Sequence, residues 1–272
     1  MGQDRTSQEP VRLIMRADDM GFSHAANVAC IKGYQQGVIT SVEVIAPGPW
    51  FLEAAALLRE NPGLDAGVHL ALTSEWDNYK WGPLTKAPSL VTEDGYFPVS
   101  DQEFGHLNLS LQEVEQELRA QIELALKYIP QVSHLSTHMS APSSTKELRQ
   151  LAVKLSQEYN LPLGIDVTEQ YLGMWAVPAE QKEDYLATTL NDLQPGLWVF
   201  VCHPALNNQE TQAIKGSGQD AHVRMAVHRE IVTRAVTSDR ITQIIKDRHL
   251  QLIRYCDAFP SASQHKKRKD SD

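Results

Sequence analysis

Two adjacent aspartates follow the first apolar run of the chain. Asp18 and Asp19 come after the run Val11 to Met15 and are followed by Gly21 and a helical pattern. Two neighbouring carboxylates at the end of a buried strand are destabilised by desolvation and by mutual repulsion, so a cation is expected beside them. A divalent metal ion would satisfy that need. The alternative is a helix N-cap, which is a common role for an aspartate in this position.

Histidines follow other apolar runs in the same way. They are His69, His138 and His203. A single histidine in an apolar context is more often a hydrogen-bonded core residue than a ligand. Together with the aspartates, these residues offer one carboxylate and two imidazoles to a catalytic Zn²⁺ or another divalent ion. One aspartate and one histidine remain for the base and the acid that hydrolysis needs.

Short β-type runs alternate with amphipathic segments along the chain. Strands are predicted at 11–17, 39–46, 65–71, 132–136, 162–166, 197–202 and 250–254, and helices near 24–36, 50–60, 110–128, 144–159, 178–192, 221–235 and 239–248. Ser110 and Ser144 each have a glutamate three residues later, which predicts two capping boxes. Alternation of this kind is typical of an α/β fold with parallel strands.

The predicted architecture is a distorted β/α barrel of about seven parallel strands surrounded by helices. No Gly-x-Gly-x-x-Gly motif follows the first strand, which argues against a dinucleotide-binding sheet. In a β/α barrel the active site lies at the carboxyl ends of the strands. The two aspartates and the three histidines all come at such ends, so we expect them to meet on one face.

A single domain is predicted over 11–258, between a flexible leader (1–10) and a polar tail (259–272). The segment 74–109 is too long for a simple connection, so it is interpreted as a lid-like insertion over one end of the barrel. The insertion contains Trp76, Tyr79 and Trp81. These aromatic side chains are candidates for packing against a sugar ring, and a hydrophobic plug that fixes the insertion to the barrel is the alternative.

Two charged residues are weaker candidates for substrate contacts. Glu43 lies inside a β-rich run, where an unpaired carboxylate would be costly. It is expected to point towards Arg16 or the metal site, or else to face solvent at a frayed strand end. Arg224 follows the His203 loop and could orient an acidic residue or a substrate group, although surface arginines are usually only solvated.

Composition excludes several classes of function. The chain has 272 residues and a formal net charge of −9, so it lacks the basic face of a nucleic-acid-binding protein. Its cysteines, Cys30, Cys202 and Cys256, are far apart and odd in number, which argues against a disulfide framework. We find no membrane-spanning apolar stretch and no signal-type segment, which predicts a cytoplasmic protein. A secreted or periplasmic location stays open if a signal peptide precedes the native chain.

An ordered set of short motifs resembles the YdjC-like carbohydrate deacetylases. The resemblance runs from about Leu13 to Tyr255 and covers most of the chain. The motifs are Ala17-Asp18-Asp19-Met20-Gly21 with Asn27, Gly37-Val38-Ile39-Thr40-Ser41, Gly67-Val68-His69-Leu70 with Leu72-Thr73, His134-Leu135-Ser136-Thr137-His138, and Cys202-His203-Pro204. No single motif is decisive, but their order and spacing are fairly specific.

The resemblance implies a distorted β/α barrel that removes acetyl groups from N-acetylated amino sugars. It implies that Asp19, His69 and His138 bind one divalent metal ion, with Zn²⁺ or Mg²⁺ the first choices and Co²⁺ or Ni²⁺ open. By the same resemblance Asp18 would be the general base and His203 the general acid. For that role His203 needs a pKa near or above neutral, which neighbouring acids are expected to supply.

The chain departs from the family pattern at three places. Met139-Ser140-Ala141 replace the further histidines that many members carry after His138. Ser136 stands where many members have an aspartate, and Ala205 stands where many have a glycine after His-Pro. The proposed metal ligands survive these changes, but the identity of the substrate does not transfer. A small N-acetylated mono- or short oligosaccharide is the expected partner.

Two other functional classes stay open at this point. Two histidines and one carboxylate are also the ligands of non-haem Fe(II) oxygenases, although an oxygenase has no clear use for the additional acid–base pair. A non-catalytic sugar-binding barrel is the second alternative, and the second carboxylate argues against it. Barrels of this kind often pair through their outer helices, so a homodimer also stays open.

Overall fold

Strand β1 (Val11–Met20) is the centre of a parallel sheet. The computed structural model describes residues 9–164, 170–216 and 224–259. The other strands are β2 (Ser41–Val44), β3 (Asp65–Leu70), β4 (Val132–Thr137), β5 (Gln170–Gly173), β6 (Gly196–Cys202) and β7 (Gln251–Leu252). Their order is β4-β3-β2-β1-β6-β5, and β7 pairs with the amino-terminal half of β1. All pairings between these strands are parallel.

Helices follow most of the strands and surround the sheet. They are α1 (His24–Gln36), α2 (Phe51–Glu60), α3 (Asp101–Phe104), α4 (Leu111–Tyr128), α5 (Lys146–Tyr159), α6 (Lys182–Asp192), α7 (Gln209–Ala213), α8 (Arg229–Val236), α9 (Asp239–Asp247) and α10 (Tyr255–Ala258). This arrangement confirms the predicted α/β class and is compatible with a distorted barrel. Within the described residues, β4 and β5 are the two ends of the hydrogen-bonded order.

The two faces of β1 bury different kinds of side chain. Leu13 and Met15 pack into the large apolar cluster shared with the helices. Ile14 points to the opposite face, where it packs with Val199 and with Tyr255 from α10. Successive side chains of a strand alternate between faces. Ile14, Arg16 and Asp18 therefore share the face of β1 that lies opposite Leu13 and Met15.

One predicted strand is wrong in its position. Only Leu163 of the predicted strand 162–166 pairs with β4, through a single bridge to Leu135. Pro162 has no N–H group to donate to a ladder, although its carbonyl accepts from the Leu135 N–H at 2.8 Å. Residues 165 and 166 lie outside the described ranges. Strand β5 begins later, at Gln170, and was missed because its side chains are mostly exposed and give no apolar run.

The helix starts show which capping predictions were right. Ser110 caps α4 by accepting from the Glu113 N–H at 3.4 Å, as predicted. The other half of the predicted capping box is wrong, because Ser110 N–H donates to Ser89 Oγ and the Glu113 carboxylate accepts from Ser89 N–H. The capping box predicted at Ser144 is wrong, because the hydroxyl of Ser144 donates to the Ala141 carbonyl instead. Thr145 caps α5 in its place. The N-cap of α5 lies one residue later than predicted, because serine and threonine are both good N-cap residues and stand side by side here.

The insertion predicted at 74–109 packs into the large apolar cluster beside the sheet. It contains α3 and a short 3₁₀ turn at Pro88–Leu90, and it buries large side chains such as Trp81 and Phe97. Trp76 forms an antiparallel bridge with Gly216, which ties the start of the insertion to the segment after β6. Most of the predicted leader and nearly all of the predicted tail lie outside the described residues. Among the described helices, none has the length and apolar character needed to cross a membrane.

Candidate active site

The end of β1 departs from regular strand geometry. Asp19 has a φ of 71°, a left-handed conformation that is uncommon for residues other than glycine. The register between β1 and β2 also shifts between Ala17 and Met20. Neighbouring side chains of a regular strand point to opposite faces. The irregularity instead brings both Asp18 and Asp19 to the same cavity. The N-cap of α1 is Ser23, so neither aspartate serves as the cap.

Asp18 is fixed by a two-pronged ion pair with Arg16. The Arg16 Nε and NH2 groups donate to the two carboxylate oxygens at 2.8 and 2.9 Å. Both side chains are buried. Burial raises the pKa of the Asp18 carboxyl above its usual value, although Arg16 acts in the opposite direction. Asp18 is therefore oriented and made more basic by the same buried environment.

Three side chains converge beside Asp18. Ligand-type atoms of Asp19, His69 and His138 all lie within 4.8 Å of one another, and the three residues are buried. The Asp19 Oδ1 atom is 3.7 Å from His69 Nε2 and 3.2 Å from His138 Nδ1. Asp18 lies at the edge of this group, because its Oδ2 atom is also 3.7 Å from His69 Nε2.

His69 is held through its other ring nitrogen. Ser136 Oγ lies 2.6 Å from His69 Nδ1 and donates its own proton to the Glu43 carboxylate. The pKa of Glu43 is lowered to about 2, because His134 and Arg16 outweigh the effect of burial. Glu43 is thus an acceptor only, so the Ser136 hydroxyl must accept from a protonated Nδ1. The Nε2 lone pair of His69 therefore faces Asp19.

His138 is held by two carboxylates. Its Nδ1 atom faces Asp19, and its Nε2 atom is 3.0 Å from the Oε2 atom of Glu75. Burial alone would lower the pKa of His138, but Glu75 and Asp19 raise it to about 10. By contrast, burial and the neighbouring His138 lower the pKa of His69 to about 3. One of the two histidines is consequently neutral and the other carries a proton.

Arg229 joins the site from the first residue of α8. Its NH2 group donates to Asp19 Oδ2 at 2.8 Å and lies 4.0 Å from Glu75 Oε1. Burial raises the pKa of Asp19, but Arg229 and His138 outweigh it and hold that pKa well below the usual range. The guanidinium lies over the rings of Phe22 and Trp76, with 5.0 and 5.6 Å to the ring centroids.

The residues fit a divalent metal ion. Asp19 Oδ1 is buried and, apart from the 3.2 Å contact with His138 Nδ1, has no hydrogen-bond partner among the described residues, so a bound cation would satisfy it. One carboxylate oxygen and two imidazole nitrogens are the donor set of many catalytic Zn²⁺ and related sites. Both histidines are oriented from the opposite ring nitrogen, as metal-ligating histidines usually are.

His203 lines the same cavity as the two aspartates. Its ring packs edge-on against Trp175, with 5.2 Å between the ring centroids. Burial lowers the pKa of His203 to about 4, although Asp19 and Asp18 act in the opposite direction. The expectation that nearby acids would raise this pKa to neutrality is therefore wrong for this arrangement. The His203 imidazole is neutral at pH 7.

These side chains line a cavity with two lobes. The lobe beside the candidate ligands has a volume of about 530 Å³ and is lined by all five residues of the aspartate and histidine set. The outer lobe has a volume of about 500 Å³ and is lined mainly by segment 174–180 and by α8. Both lobes are bordered by four shared residues, Trp76, Trp175, His203 and Arg229.

A family model described as YdjC-like protein matches residues 12–247. The chain belongs to this family. A carbohydrate deacetylase of Thermus thermophilus is 33% identical over 227 residues, which cover 74% of this YdjC-like chain and 80% of the relative. A carbohydrate deacetylase of Clostridium beijerinckii is 26% identical over 261 residues, which cover 91% of this chain and all of the relative.

A solved structure shares the overall fold of the YdjC-like chain. It is described as a cellobiose-phosphate cleavage protein of Enterococcus faecalis V583. The TM-score is 0.76 and the sequence identity 27%, and the alignment covers 92% of this chain and 99% of the other. The similarity thus extends over nearly the whole of both proteins.

The weaker candidates of the YdjC-like chain lie in different places. Trp76 is buried and borders both lobes. Tyr79 and Trp81 line neither lobe, because the Tyr79 hydroxyl donates to the Phe22 carbonyl at 2.7 Å and Trp81 packs against the Phe22 ring. Their positions agree with the alternative of a plug. Glu43 points inwards, with 3.8 Å between its Oε1 atom and Arg16 Nε. The Arg224 side chain lies outside the described part of the chain.

Three residues at the site were not found from the sequence. Glu75 lies two residues after the motif Leu72-Thr73 and could have been noticed as a polar residue following β3. Arg229 and Trp175 carry no local signal, because neither belongs to one of the motifs or directly follows a predicted strand. Only the tertiary structure brings these residues to the cavity.

Proposed function

We propose that this YdjC-like chain is a metal-dependent hydrolase that removes the acetyl group from an N-acetylated amino sugar or short oligosaccharide. The main support for the proposal is the position of Asp18. It is a second carboxylate beside the candidate ligands, yet Arg16 holds it apart from them, so it is available as a base. The relatives named carbohydrate deacetylase support this reaction class, and they lend no support to an oxygenase.

Asp19, His69 and His138 are the residues that would hold the ion. When bound, a divalent ion would polarise the acetyl carbonyl and lower the pKa of a water molecule. The protein contributes the orientation of these ligands: Arg229 fixes the Asp19 carboxylate, while Glu43 through Ser136 fixes the tautomer of His69. Such supporting contacts commonly change metal affinity by about 10- to 100-fold.

Asp18 and His203 would divide the proton transfers. Asp18 takes a proton from the attacking water, and its raised pKa makes it a better base than a free aspartate. The amide nitrogen must gain a proton before it leaves as an amine. Because the His203 imidazole is neutral at rest, the proton that it delivers must arrive during the reaction. The proton removed by Asp18 is the available one, and Arg16 keeps Asp18 oriented by its two hydrogen bonds.

The test is acetate release from N-acetylated mono- and disaccharides. The protein is stripped of metal and then supplied with Zn²⁺, Mg²⁺, Co²⁺ or Ni²⁺, and Asp18→Asn is assayed beside the wild type. We expect metal-dependent acetate from the wild type and a loss of at least about 100-fold in kcat for Asp18→Asn, because general bases contribute that much. Metal content, measured by elemental analysis, should be equal in the two proteins.

Two results would contradict the proposal. Full deacetylation by a metal-loaded Asp18→Asn variant would exclude Asp18 as the base. Oxygen uptake with Fe(II) and 2-oxoglutarate, without acetate release, would move the assignment to the oxygenase class.

A further inference from the structure

The two residues directly after His138 have strained backbones. Met139 has a φ of 48° and Ser140 a φ of 58°, so two consecutive residues other than glycine are left-handed. Such conformations are energetically costly and persist only where the surrounding structure holds them. Here the Ser143 hydroxyl donates to the Ser140 carbonyl at 3.1 Å, and the neighbouring Pro142 is buried. The loop is therefore held in a conformation for which the chemistry described above gives no reason.

The strained loop presents an apolar side chain to the active-site cavity. Met139 lines the lobe beside the candidate ligands, and its exposed fraction is 39%. The other large apolar side chains that line this lobe are Trp76 and Trp175, and both of them also border the outer lobe. Within the described ranges, Met139 is thus the one large apolar side chain that lines this lobe alone.

The proposed reaction assigns a direction to each part of the substrate amide. The carbonyl carbon carries three groups in one plane: the oxygen, the nitrogen and the first carbon of the acyl chain. The oxygen must face Asp19, His69 and His138, and the nitrogen must face His203, so the acyl chain extends away from both. His203 borders the outer lobe as well, whereas Met139 does not. The end of the acyl chain is thereby directed towards Met139.

The surroundings of Met139 suit acyl chains of different length. A methionine side chain is unbranched and flexible, so it adapts to apolar groups of different shape. Because Met139 is partly exposed, it does not close the cavity around a single methyl group. The lobe has a volume of about 530 Å³, which lies in the range of complete ligand sites and far exceeds the volume of an acetyl group.

We propose that Met139 packs against the acyl chain and that this YdjC-like protein also hydrolyses N-acyl amino sugars whose acyl group is longer than acetyl, such as butyryl. Water adds to the carbonyl carbon and the C–N bond breaks, which yields the carboxylic acid of that chain and the free amino sugar. The step needs no reactant other than water. The inference rests on the proposed function, because the amide carbonyl and His203 orient the substrate.

Hydrolysis of matched substrates tests the inference. They are glucosamine and its β-1,4-linked dimer, each either N-acetylated or N-butyrylated, assayed with Zn²⁺, Mg²⁺, Co²⁺ or Ni²⁺ in turn. The wild type should release butyrate with a kcat/KM at least equal to that for acetate release, because two further methylene groups gain contact with Met139.

Two variants of Met139 separate its side chain from its backbone. Met139→Gly removes the side chain and relieves the strain, because glycine readily adopts a positive φ. It should lower the ratio of the butyryl to the acetyl kcat/KM about 10-fold, the factor expected for two methylene groups. Met139→Leu keeps an apolar side chain of similar volume and should hold the ratio within about threefold of the wild type.

Leu84→Gly is the matched control. Leu84 has an exposed fraction of 42%, close to that of Met139, and it borders neither lobe. Its replacement should leave the ratio within about twofold of the wild type. Urea unfolding should show Met139→Gly to be about as stable as the wild type, because the relieved strain offsets the greater freedom of glycine in the unfolded chain.

Carbon-13 labelling of the methionine methyl groups gives a readout that does not depend on turnover. Met139→Leu assigns the Met139 signal by its loss. In the metal-loaded Asp18→Asn variant, the N-butyryl sugar should shift the Met139 methyl resonance more than the N-acetyl sugar does. If neither sugar is hydrolysed by the wild type, the proposed function fails, and this measurement then decides the inference.

Three results would overturn the inference while leaving the deacetylase proposal in place. The first is acetate release without butyrate release. The second is a ratio that Met139→Gly does not change, and the third is a Met139 methyl signal that does not respond to the N-butyryl sugar.

Discussion

The tautomer of a single histidine depends on a serine hydroxyl at this site. Ser136 accepts from His69 Nδ1 and donates to Glu43, so one hydroxyl connects a candidate ligand to a buried carboxylate. A serine can make this connection because a hydroxyl both donates and accepts. Ser136 stands where many family members have an aspartate. His69 still keeps a hydrogen-bonding partner at Nδ1, because the Glu43 carboxylate accepts the Ser136 proton and so supplies the negative charge through the hydroxyl.

We predict that Ser136→Ala weakens Zn²⁺ binding about 10- to 100-fold, because His69 loses the partner that fixes its tautomer. Ser133→Ala is the control. Ser133 is a buried serine of the same strand, but it contacts His134, which is not a candidate ligand, at 2.7 Å. Competition with a chelating dye measures both affinities. Equal Zn²⁺ affinities for the two variants would remove Ser136 from the support of the metal site.

At the scale of elements, two irregular segments build the site. The insertion after β3 carries Glu75 to His138, and the Trp76 bridge to Gly216 helps to fix its start. The end of β1 carries both aspartates through a left-handed residue and a register shift. Both segments are irregular where they orient the candidate active-site carboxylates, Asp18, Asp19 and Glu75.

The insertion should control proton release on metal binding. With a pKa of about 10, the metal-free His138 is protonated at pH 8 and must lose that proton to become a ligand. Calorimetry in buffers of different ionisation enthalpy should therefore detect about one proton released per Zn²⁺ bound at pH 8. Glu75→Gln lowers the pKa of His138 and should reduce that number.

Glu93→Gln is the control for the insertion. Glu93 is an exposed carboxylate of the same insertion and borders neither lobe. This variant should release as many protons as the wild type. Unchanged proton release by Glu75→Gln would exclude Glu75 as the group that holds the proton on His138.

The turn after β1 should tolerate no side chain at Gly21. Gly21 has a φ of 96°, and an added Cβ would lie 2.9 Å from the Ile45 carbonyl oxygen. Gly95 has a φ of 81°, but an added Cβ there meets nothing within 4 Å. Both alanine variants suffer backbone strain, and only Gly21→Ala adds a clash. Urea unfolding should show Gly21→Ala to be less stable than Gly95→Ala by about 1–3 kcal/mol, and equal stabilities would contradict the clash.

The interior of the molecule contains several buried charged side chains, among them Glu43 and Arg16. Glu43 is fully buried and pairs with His134 Nε2 at 2.5 Å, and the His134 ring stacks on Tyr255 with 3.9 Å between centroids. Arg16 also donates to the Tyr255 hydroxyl at 3.3 Å. The helix α10 thus seals the interior below the active site, and the charges there are compensated by one another.

The Glu43 carboxylate should make stability fall in acid. The folded pKa of Glu43 is about 2 and its ordinary value is 4.5, so its contribution is complete above about pH 5 and is lost as the pH falls towards 2. We expect Glu43→Gln to destabilise the metal-free protein by about 3 kcal/mol at pH 6. The difference from wild type should shrink to about 2 kcal/mol at pH 3.5.

Urea unfolding at both pH values measures this difference. A double-mutant cycle with His134→Gln isolates the pair and should give a coupling energy of at least about 1 kcal/mol. A destabilisation that does not change between pH 6 and pH 3.5 would show that Glu43 acts through packing and not through its charge.

The sequence alone determined the class of the fold and five of the residues that meet at the site. Short apolar runs and helical patterns are local signals, and they located six of the seven strands in the described residues. The rule that active sites lie at the carboxyl ends of parallel strands then grouped Asp18, Asp19, His69, His138 and His203, which do line one cavity. Their individual roles, and the metal itself, stay predictions.

Only the tertiary structure decided the orientation of these side chains and their hydrogen-bonding partners. Adjacent aspartates in a regular strand would point apart, and the sequence contains no local signal for the left-handed Asp19 that brings them together. Glu75, Arg229 and Trp175 reach the site from segments distant in the chain, and the pKa of His203 depends on how deeply it is buried. Orientation and desolvation arise from long-range packing, so a reading of local patterns could not supply them.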